Sequence, residues 1–279
     1  MSVVVGLVVG VLAVRLLVAT ALDLLRTPAL ERPNHRGRLI PTAAGALAVL
    51  AVVLVEGGRS LFGAFGVGHD TTTTARLAVL LACVGFGLLG FVDDVAGEPS
   101  TSGFRGHLGA LRRGEVTTGV VKIAGGALLA VVLVTIDHGA ASGLRIVADA
   151  ALVALAANLV NLFDRAPGRA LKVGLVAWLP LALSARTDAV GVALAPVVGA
   201  FAGLLGDDLR EHLMLGDTGG YAFGAVLGLG VVLEYGASTR TVVLVVLVAV
   251  TLASEFVSFG GVIDRVGVLQ RLDRLGRRA

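Results

Sequence analysis

Long uncharged apolar runs dominate this chain and leave it one kind of environment to fold in. Runs of about 17–25 predominantly apolar residues recur near 2–25, 42–57, 75–92, 115–136, 145–163, 168–185, 189–206, 217–234 and 239–259. A helix of that length crosses the hydrocarbon core of a bilayer. With 56% hydrophobic and 15% charged residues, and a mean hydropathy of +0.91, an ordinary soluble domain is excluded. Charges cluster between the runs instead of alternating with apolar residues, which also excludes the ten-residue alternation of an outer-membrane barrel. The expected fold is an all-α integral membrane protein with about nine transmembrane helices. Pro180 and Pro196 fall inside the sixth and seventh runs, where proline bends a helix.

Positive charge sets the expected orientation. With the loop after the first run inside, 17 of the 23 Lys and Arg lie on the inner face and 5 outside, with Arg15 within the first run. The positive-inside rule then places the N-terminus outside and the C-terminus in the cytosol. The first run has no positive charge before Arg15 and no small-residue cleavage pattern after it, so it reads as a retained helix. The net charge of +3 is spread along loops, which argues against a nucleic-acid partner. The weight of Ala, Val, Gly and Arg points to a GC-rich bacterial genome, hence to a bacterial cytoplasmic membrane. The single cysteine, Cys83, lies within a run and forms no internal disulfide. No linker separates a soluble unit, so residues 1–259 read as one membrane domain. Residues 260–279 read as a basic, amphipathic cytosolic tail, its apolar positions interleaved with arginines as on an anionic lipid surface.

The inner loops hold the unusual residues: "RPNHRGRLIPTAAG", "DDVAG" with "GHLGALRRGEVTTGVVK", "NLVNLFDRAPGRALK" and "LMLGDTGGYAFG". The only two lysines, Lys122 and Lys172, and the only three asparagines, Asn34, Asn158 and Asn161, fall in these stretches. Lysine retained in an arginine-rich chain suggests a demand on geometry, because ammonium and guanidinium are not interchangeable. Asn158, Asn161 and Asp164 recur every three residues and share one helix face. That face could equally be a hydrogen-bonded seam between helices. Asp93 and Asp94 follow the third run, where two carboxylates meet the negative end of the helix dipole and repel each other. A divalent cation relieves both costs, and magnesium suits one or two carboxylates with water and phosphate oxygens. Alternatively, the pair is a solvated helix boundary. "GDTGG" sets Asp217 between glycines at the start of the eighth run, where free backbone N–H groups attract phosphate; Asp217 could instead be an N-cap. Of the ionisable residues inside runs, Arg15, Asp149 and Glu255, the last is expected on the pocket wall, and each needs a partner or a polar cavity.

In their order and on one membrane face, "RPNHRG…IPTAAG", "GFVDD", "VVK", "NLVNLFD" and "LMLGDTGGYAFG" resemble the polyprenyl-phosphate N-acetylhexosamine-1-phosphate transferases, over about residues 30–230. That family includes phospho-N-acetylmuramoyl-pentapeptide transferase and the GlcNAc-1-phosphate transferases. The resemblance implies a Mg²⁺-dependent transfer of sugar-1-phosphate from a UDP-sugar to a polyprenyl phosphate, for envelope glycan synthesis, by a homodimer. It implies that Asp93 and Asp94 orient or deprotonate the lipid phosphate, that Asp217 and Asn161 bind magnesium, and that Lys122 contacts the diphosphate. Arg36, Arg38 and Thr42 would hold the lipid phosphate. Asn158 and Asp164 would complete the substrate pocket.

The chain departs from the family in two places. The family continues its Asn-rich helix with Asp-Gly, whereas Asp164 is followed here by Arg165; Arg169 and Lys172 would then grip phosphate by charge. The family's last cytosolic loop carries a histidine cluster, and "SFGGVIDRVGVLQRLDRLGRRA" has none. The departures keep a second reading open, a non-catalytic polyprenyl-phosphate-binding relative or scaffold of an envelope-synthesis complex. A transporter is disfavoured, because such sites lie near the bilayer midplane and these residues gather at one face.

Overall fold

The computed structural model describes residues 1–34, 36–67, 73–96, 117–137, 142–186 and 188–277. Expected features at His35 and in the stretch 97–116 lie outside the described residues. Among the described residues, eleven α-helices carry nearly all the regular structure. They are α1 (Val3–Ala21), α2 (Gly45–Ala64), α3 (Thr74–Ala96), α4 (Thr118–Asp137), α5 (Gly143–Leu162), α6 (Arg169–Ser184), α7 (Ala189–Leu209), α8 (Gly216–Glu234), α9 (Ala237–Ser254), α10 (Phe259–Arg265) and α11 (Gly267–Arg274). A 3-10 turn, Leu22–Leu25, extends α1. Among the described residues, eight helices are long and apolar enough to cross a membrane. The protein is an all-α, membrane-embedded chain.

Helix α8 is the axis of the bundle. It is apolar on every side and almost every residue from Gly216 to Gly230 is buried, as expected of a helix surrounded by others. It packs against α2, α3, α5, α6 and α7. In lipid there is little hydrophobic drive between helices, so close packing of small residues must supply the attraction. Gly220, Gly224 and Gly228 recur every four residues and form such a seam against α5. A Cβ on Gly224 would stand 2.4 Å from the Ala156 carbonyl oxygen, and one on Gly228 would stand 2.8 Å from Ala156 Cβ. The same device joins α1 to α7, where a Cβ on Gly10 would meet the Pro196 carbonyl oxygen at 2.2 Å. These seams fix the heights at which helix ends meet, and thereby the placement of the polar residues there.

Charges within the spans are paired, as their desolvation requires. Asp149, fully buried on α5, receives Arg145 Nε at 2.9 Å and Arg240 Nη1 from α9 at 2.7 Å. Glu56 on α2 receives Arg59 Nη1 at 2.7 Å and Arg76 Nε from α3 at 2.8 Å. Arg15 pairs with Asp207, tying α1 to α7. Glu255, expected on the pocket wall, instead caps α9 in an exposed position and does not line the cavity at the site.

Several boundaries differ from the sequence expectation. Helix α3 runs on through Asp93 and Asp94 to Ala96, so the two aspartates lie within its last turns and not after it. The sixth run is a helix, α6, of only 16 residues with Pro180 inside it. At about 1.5 Å per residue it is shorter than the hydrocarbon core. The ninth helix ends at Ser254, and the tail folds as two short helices. A hairpin not foreseen in the first loop pairs β1 (Glu31–Pro33) with β2 (Leu39–Pro41), antiparallel with Arg32 opposite Ile40.

Replacing Gly224 by valine should overpack the α5–α8 seam, lowering stability by about 1–3 kcal/mol. Gly57→Ala in α2, where no atom lies within 4 Å of the new Cβ, should leave stability unchanged or raise it. Thermal unfolding of both variants in detergent checks this, and equal melting temperatures would contradict the seam.

Candidate functional site

At one end of the bundle, the last turns of α3, the first turn of α4, the end of α5 and the start of α8 meet. The contact begins at Gly90. A Cβ there would lie 2.3 Å from the Asp217 carbonyl oxygen, so only glycine lets α3 touch the first turn of α8. One turn further on, Asp94 reaches the orphan amides of that turn. Its carboxylate accepts the N–H groups of Asp217 and Thr218, each at 2.9 Å, and the Thr218 hydroxyl at 2.5 Å. Asp164, just beyond α5, accepts the N–H of Gly216 at 3.0 Å. Leu215, at the N-cap, has no side-chain cap of its own. Two carboxylates from other helices therefore cap α8, charge complementing its positive end. The sequence expectation that these amides bind phosphate is overturned: the three N–H groups are already taken.

Asp217 is not the N-cap but lies in the first turn of α8. Lys122, near the start of α4, donates to Asp93 Oδ2 at 2.6 Å and to the Asp217 carboxylate. The same ammonium lies 4.4 Å from the centre of the Tyr221 ring, one turn along α8, a cation–π arrangement. Lys122, Asp93 and Asp217 thus form one ionic cluster, with Asp94 beside it through the Asp217 backbone.

A cavity of about 340 Å³ opens alongside, within the range of small-molecule sites. Five carboxylates line it, Asp94, Asp164, Asp208, Glu211 and Asp217, and among the described residues Arg165 is its one cationic lining residue. Asp164 shows the consequence. Its burial first, and then the charges of Asp208, Asp217 and Asp94, push its carboxyl well above the usual range, and the Gly216 N–H only partly offsets them. An anionic ligand enters such a space only with a cation. Among the described residues no three His, Cys, Asp or Glu side chains converge to hold a metal ion alone. Magnesium does not need them, since it takes one or two carboxylates and completes its shell with water and phosphate. Asn161 supplies a specific signal for such a ligand. Its Oδ1 is buried without a hydrogen-bond partner, against Gly220, three residues along α8 from Asp217. A buried, unpaired carbonyl oxygen is costly unless something completes it. The donor set of Asp217 and Asn161 fits magnesium.

Of the residues expected from sequence, Thr42, Asp94, Asp164 and Asp217 line the cavity, Asp93 and Lys122 gather at Asp217, and Asn161 lies against Gly220 of α8. Asn158 is half-buried one turn deeper in α5 and does not line it. Arg36 and Arg38 are exposed on the hairpin side. There Arg36 Nε pairs with Glu211 at 3.2 Å, and Asn34 donates to Glu211 at 2.6 Å. Arg169 and Lys172 are turned away from the cavity. Arg169 makes a two-pronged pair with Asp273 of α11, at 2.8 and 2.9 Å. Lys172 donates to the carbonyls of Asp273 and Leu275, at 2.7 Å each, and of Leu272 at 3.2 Å. A pair of cations gripping phosphate is replaced here by a pair gripping the tail. Burial would raise the Asp273 carboxyl, but Arg169 and Arg277 hold it below the usual range.

Sequence reasoning missed Asp208, Glu211, Thr218 and Tyr221. "GDDLREH" repeats the signal that identified Asp93 and Asp94, adjacent carboxylates after an apolar run. Asp207 takes the structural half of that pair, with Arg15 and His212, and Asp208 faces the cavity. No protein-family model and no curated protein matches the chain.

Because the folded-state pKa of Asp164 is raised, the folded protein holds more protons than the unfolded chain above about pH 4. This part of its stability is present at low pH and falls as pH rises from there through the folded pKa. Asp164→Asn should flatten the decline. Melting temperatures of both proteins across pH 4–8, in detergent and without divalent cations, test it, and parallel curves would contradict the raised pKa.

Proposed function

We propose that this protein transfers a sugar-1-phosphate from a nucleotide sugar, UDP-linked by the resemblance, to a polyprenyl phosphate at the cytosolic face of a bacterial membrane. The observation that carries this reading is the ion cluster of Lys122, Asp93 and Asp217 beside a cavity lined by five carboxylates. It stands at the ends of membrane helices, where a lipid's phosphate reaches water while its chain stays in hydrocarbon. Phosphoryl transfer asks mainly for positioning and charge neutralisation, and this site offers both.

Asp217 and the Asn161 carbonyl oxygen would hold Mg²⁺, which when bound supplies charge neutralisation at the diphosphate and polarises its phosphorus. Lys122 gives its ammonium to the diphosphate from the side facing Asp217. An oxygen of the polyprenyl phosphate attacks the β-phosphorus of the donor and forms the new P–O bond. The bond from that phosphorus to the bridging oxygen breaks, and the nucleoside monophosphate leaves with its electron pair. Asp93 orients the lipid phosphate and accepts its proton. Asp94 is a positioning residue, since its carboxylate is committed to the first turn of α8 and sets where Asp217 stands. Thr42 contacts the lipid phosphate from the cavity wall, and Arg36 and Arg38 attract it from the exposed hairpin.

Purified protein given undecaprenyl phosphate, Mg²⁺ and a panel of nucleotide sugars should release nucleoside monophosphate. Asp217→Asn and Lys122→Ala should each lower the rate by about 10²-fold or more, the usual scale for removing one transition-state charge contact. Release from no donor, with polyprenyl phosphate still bound, would support the non-catalytic reading instead. Release unchanged in both variants would remove the site assignment.

A further inference from the structure

The two stretches in which the chain departs from the family it resembles touch each other. The loop after α5, residues 163–168, supplies Asp164, Arg165, Ala166 and Pro167 to the cavity wall. Its far side rests on the tail. Phe163 stacks on Phe259 of α10, with ring centres 5.2 Å apart and planes 11° from parallel. Arg277 donates Nε to the Pro167 carbonyl oxygen at 2.9 Å and Nη2 to Asp273 at 2.7 Å. Asp273, 8% exposed, is held at the same time by Arg169. From the cavity side, Asp208 accepts the N–H of Gly168 at 3.1 Å, where the chain takes the left-handed conformation (φ 70°). The loop is pinned on both sides.

We infer that α11 and Arg277 are positioning elements for the nucleotide-diphosphate side of the cavity: the Arg169–Asp273–Arg277 network fixes Pro167, and with it Arg165. Arg165 is the cation that an anionic donor meets on this wall. Its backbone is held through Pro167 from outside the cavity, so the tail governs the donor without touching it. The lipid phosphate is met by Thr42 and the hairpin on another wall, which the network does not reach. The inference rests on the proposed transferase reading, and its consequence is selective: loosening the tail weakens donor recognition and spares the acceptor.

The test uses the full-length protein in detergent, with Arg277→Gln, Asp273→Asn and the conservative Arg277→Lys. Tryptic cleavage at Arg165–Ala166 is quantified by mass spectrometry against cleavage after the exposed Arg38. Loss of a charge-assisted contact should speed cleavage at Arg165 by about tenfold in the first two variants, with Arg277→Lys intermediate. The KM for the nucleotide sugar should rise by a similar factor, while the KM for polyprenyl phosphate and kcat stay within about twofold. Unchanged cleavage overturns the network whatever the turnover, and so does a parallel rise in both KM values. Faster cleavage in a protein that turns over no donor keeps the bracing role of the tail and overturns the transferase reading.

Discussion

The carboxylate of Asp94 on the first turn of α8 is the contact on which the site depends. Helix α8 is buried along nearly its whole length, so its orphan amides cannot turn to water. An unsatisfied buried amide costs about 1–3 kcal/mol, and three lie together at Gly216, Asp217 and Thr218. Asp94 and Asp164 take all three. Two side chains from α3 and the end of α5 thereby fix the angle at which α8 begins. Gly90 makes this possible by letting α3 close on the Asp217 backbone, and Gly220 does the same for α5.

This arrangement concentrates negative charge. Asp94 and Asp164 are committed to amides, Asp217 projects from the same turn, and Asp208 and Glu211 complete the wall. Lys122 offsets part of the excess on the Asp93 and Asp217 side. Among the described residues nothing comparable offsets Asp164, whose raised affinity for protons records the imbalance. A cation would relieve it, and a phosphate would be favoured there only alongside one. The opposite end of the bundle contrasts with this: Glu56 and Asp149 each sit between two arginines, in networks that join helix to helix.

The most legible parts of the site were the rare lysine and asparagine and the carboxylates set beside apolar runs. Asp93–Asp94, Lys122, Asn161 and Asp217 stood out against apolar or arginine-rich surroundings, and the fold gathers them. Asp208 carried the same signal as Asp94 but lay just before "LMLGDTGGYAFG", outside the stretches singled out. Arg169 and Lys172 illustrate the opposite error. Their charge was legible, but charge alone does not say whether a cation faces a phosphate or a carboxylate. Here the partner, Asp273, lies 104 residues along the chain, beyond the reach of local spacing. The hairpin escaped notice because its strands are three residues long and end in prolines, too short to show alternation.

Length and hydropathy determined by themselves that the chain folds as apolar helices in a membrane, because a bilayer leaves a backbone few other ways to satisfy its amides. The four-residue spacing of Gly220, Gly224 and Gly228 was also written in the sequence. Which helix would lie in that seam was not, since a small-residue stripe fits any partner with a matching face. Tertiary structure decided that α5 lies there, that α3 closes over Gly90, and that Asp94 serves a helix end while Asp93 serves a lysine. Adjacent residues on a helix point about 100° apart, so two neighbouring aspartates meet different partners, and only the packing around them names which.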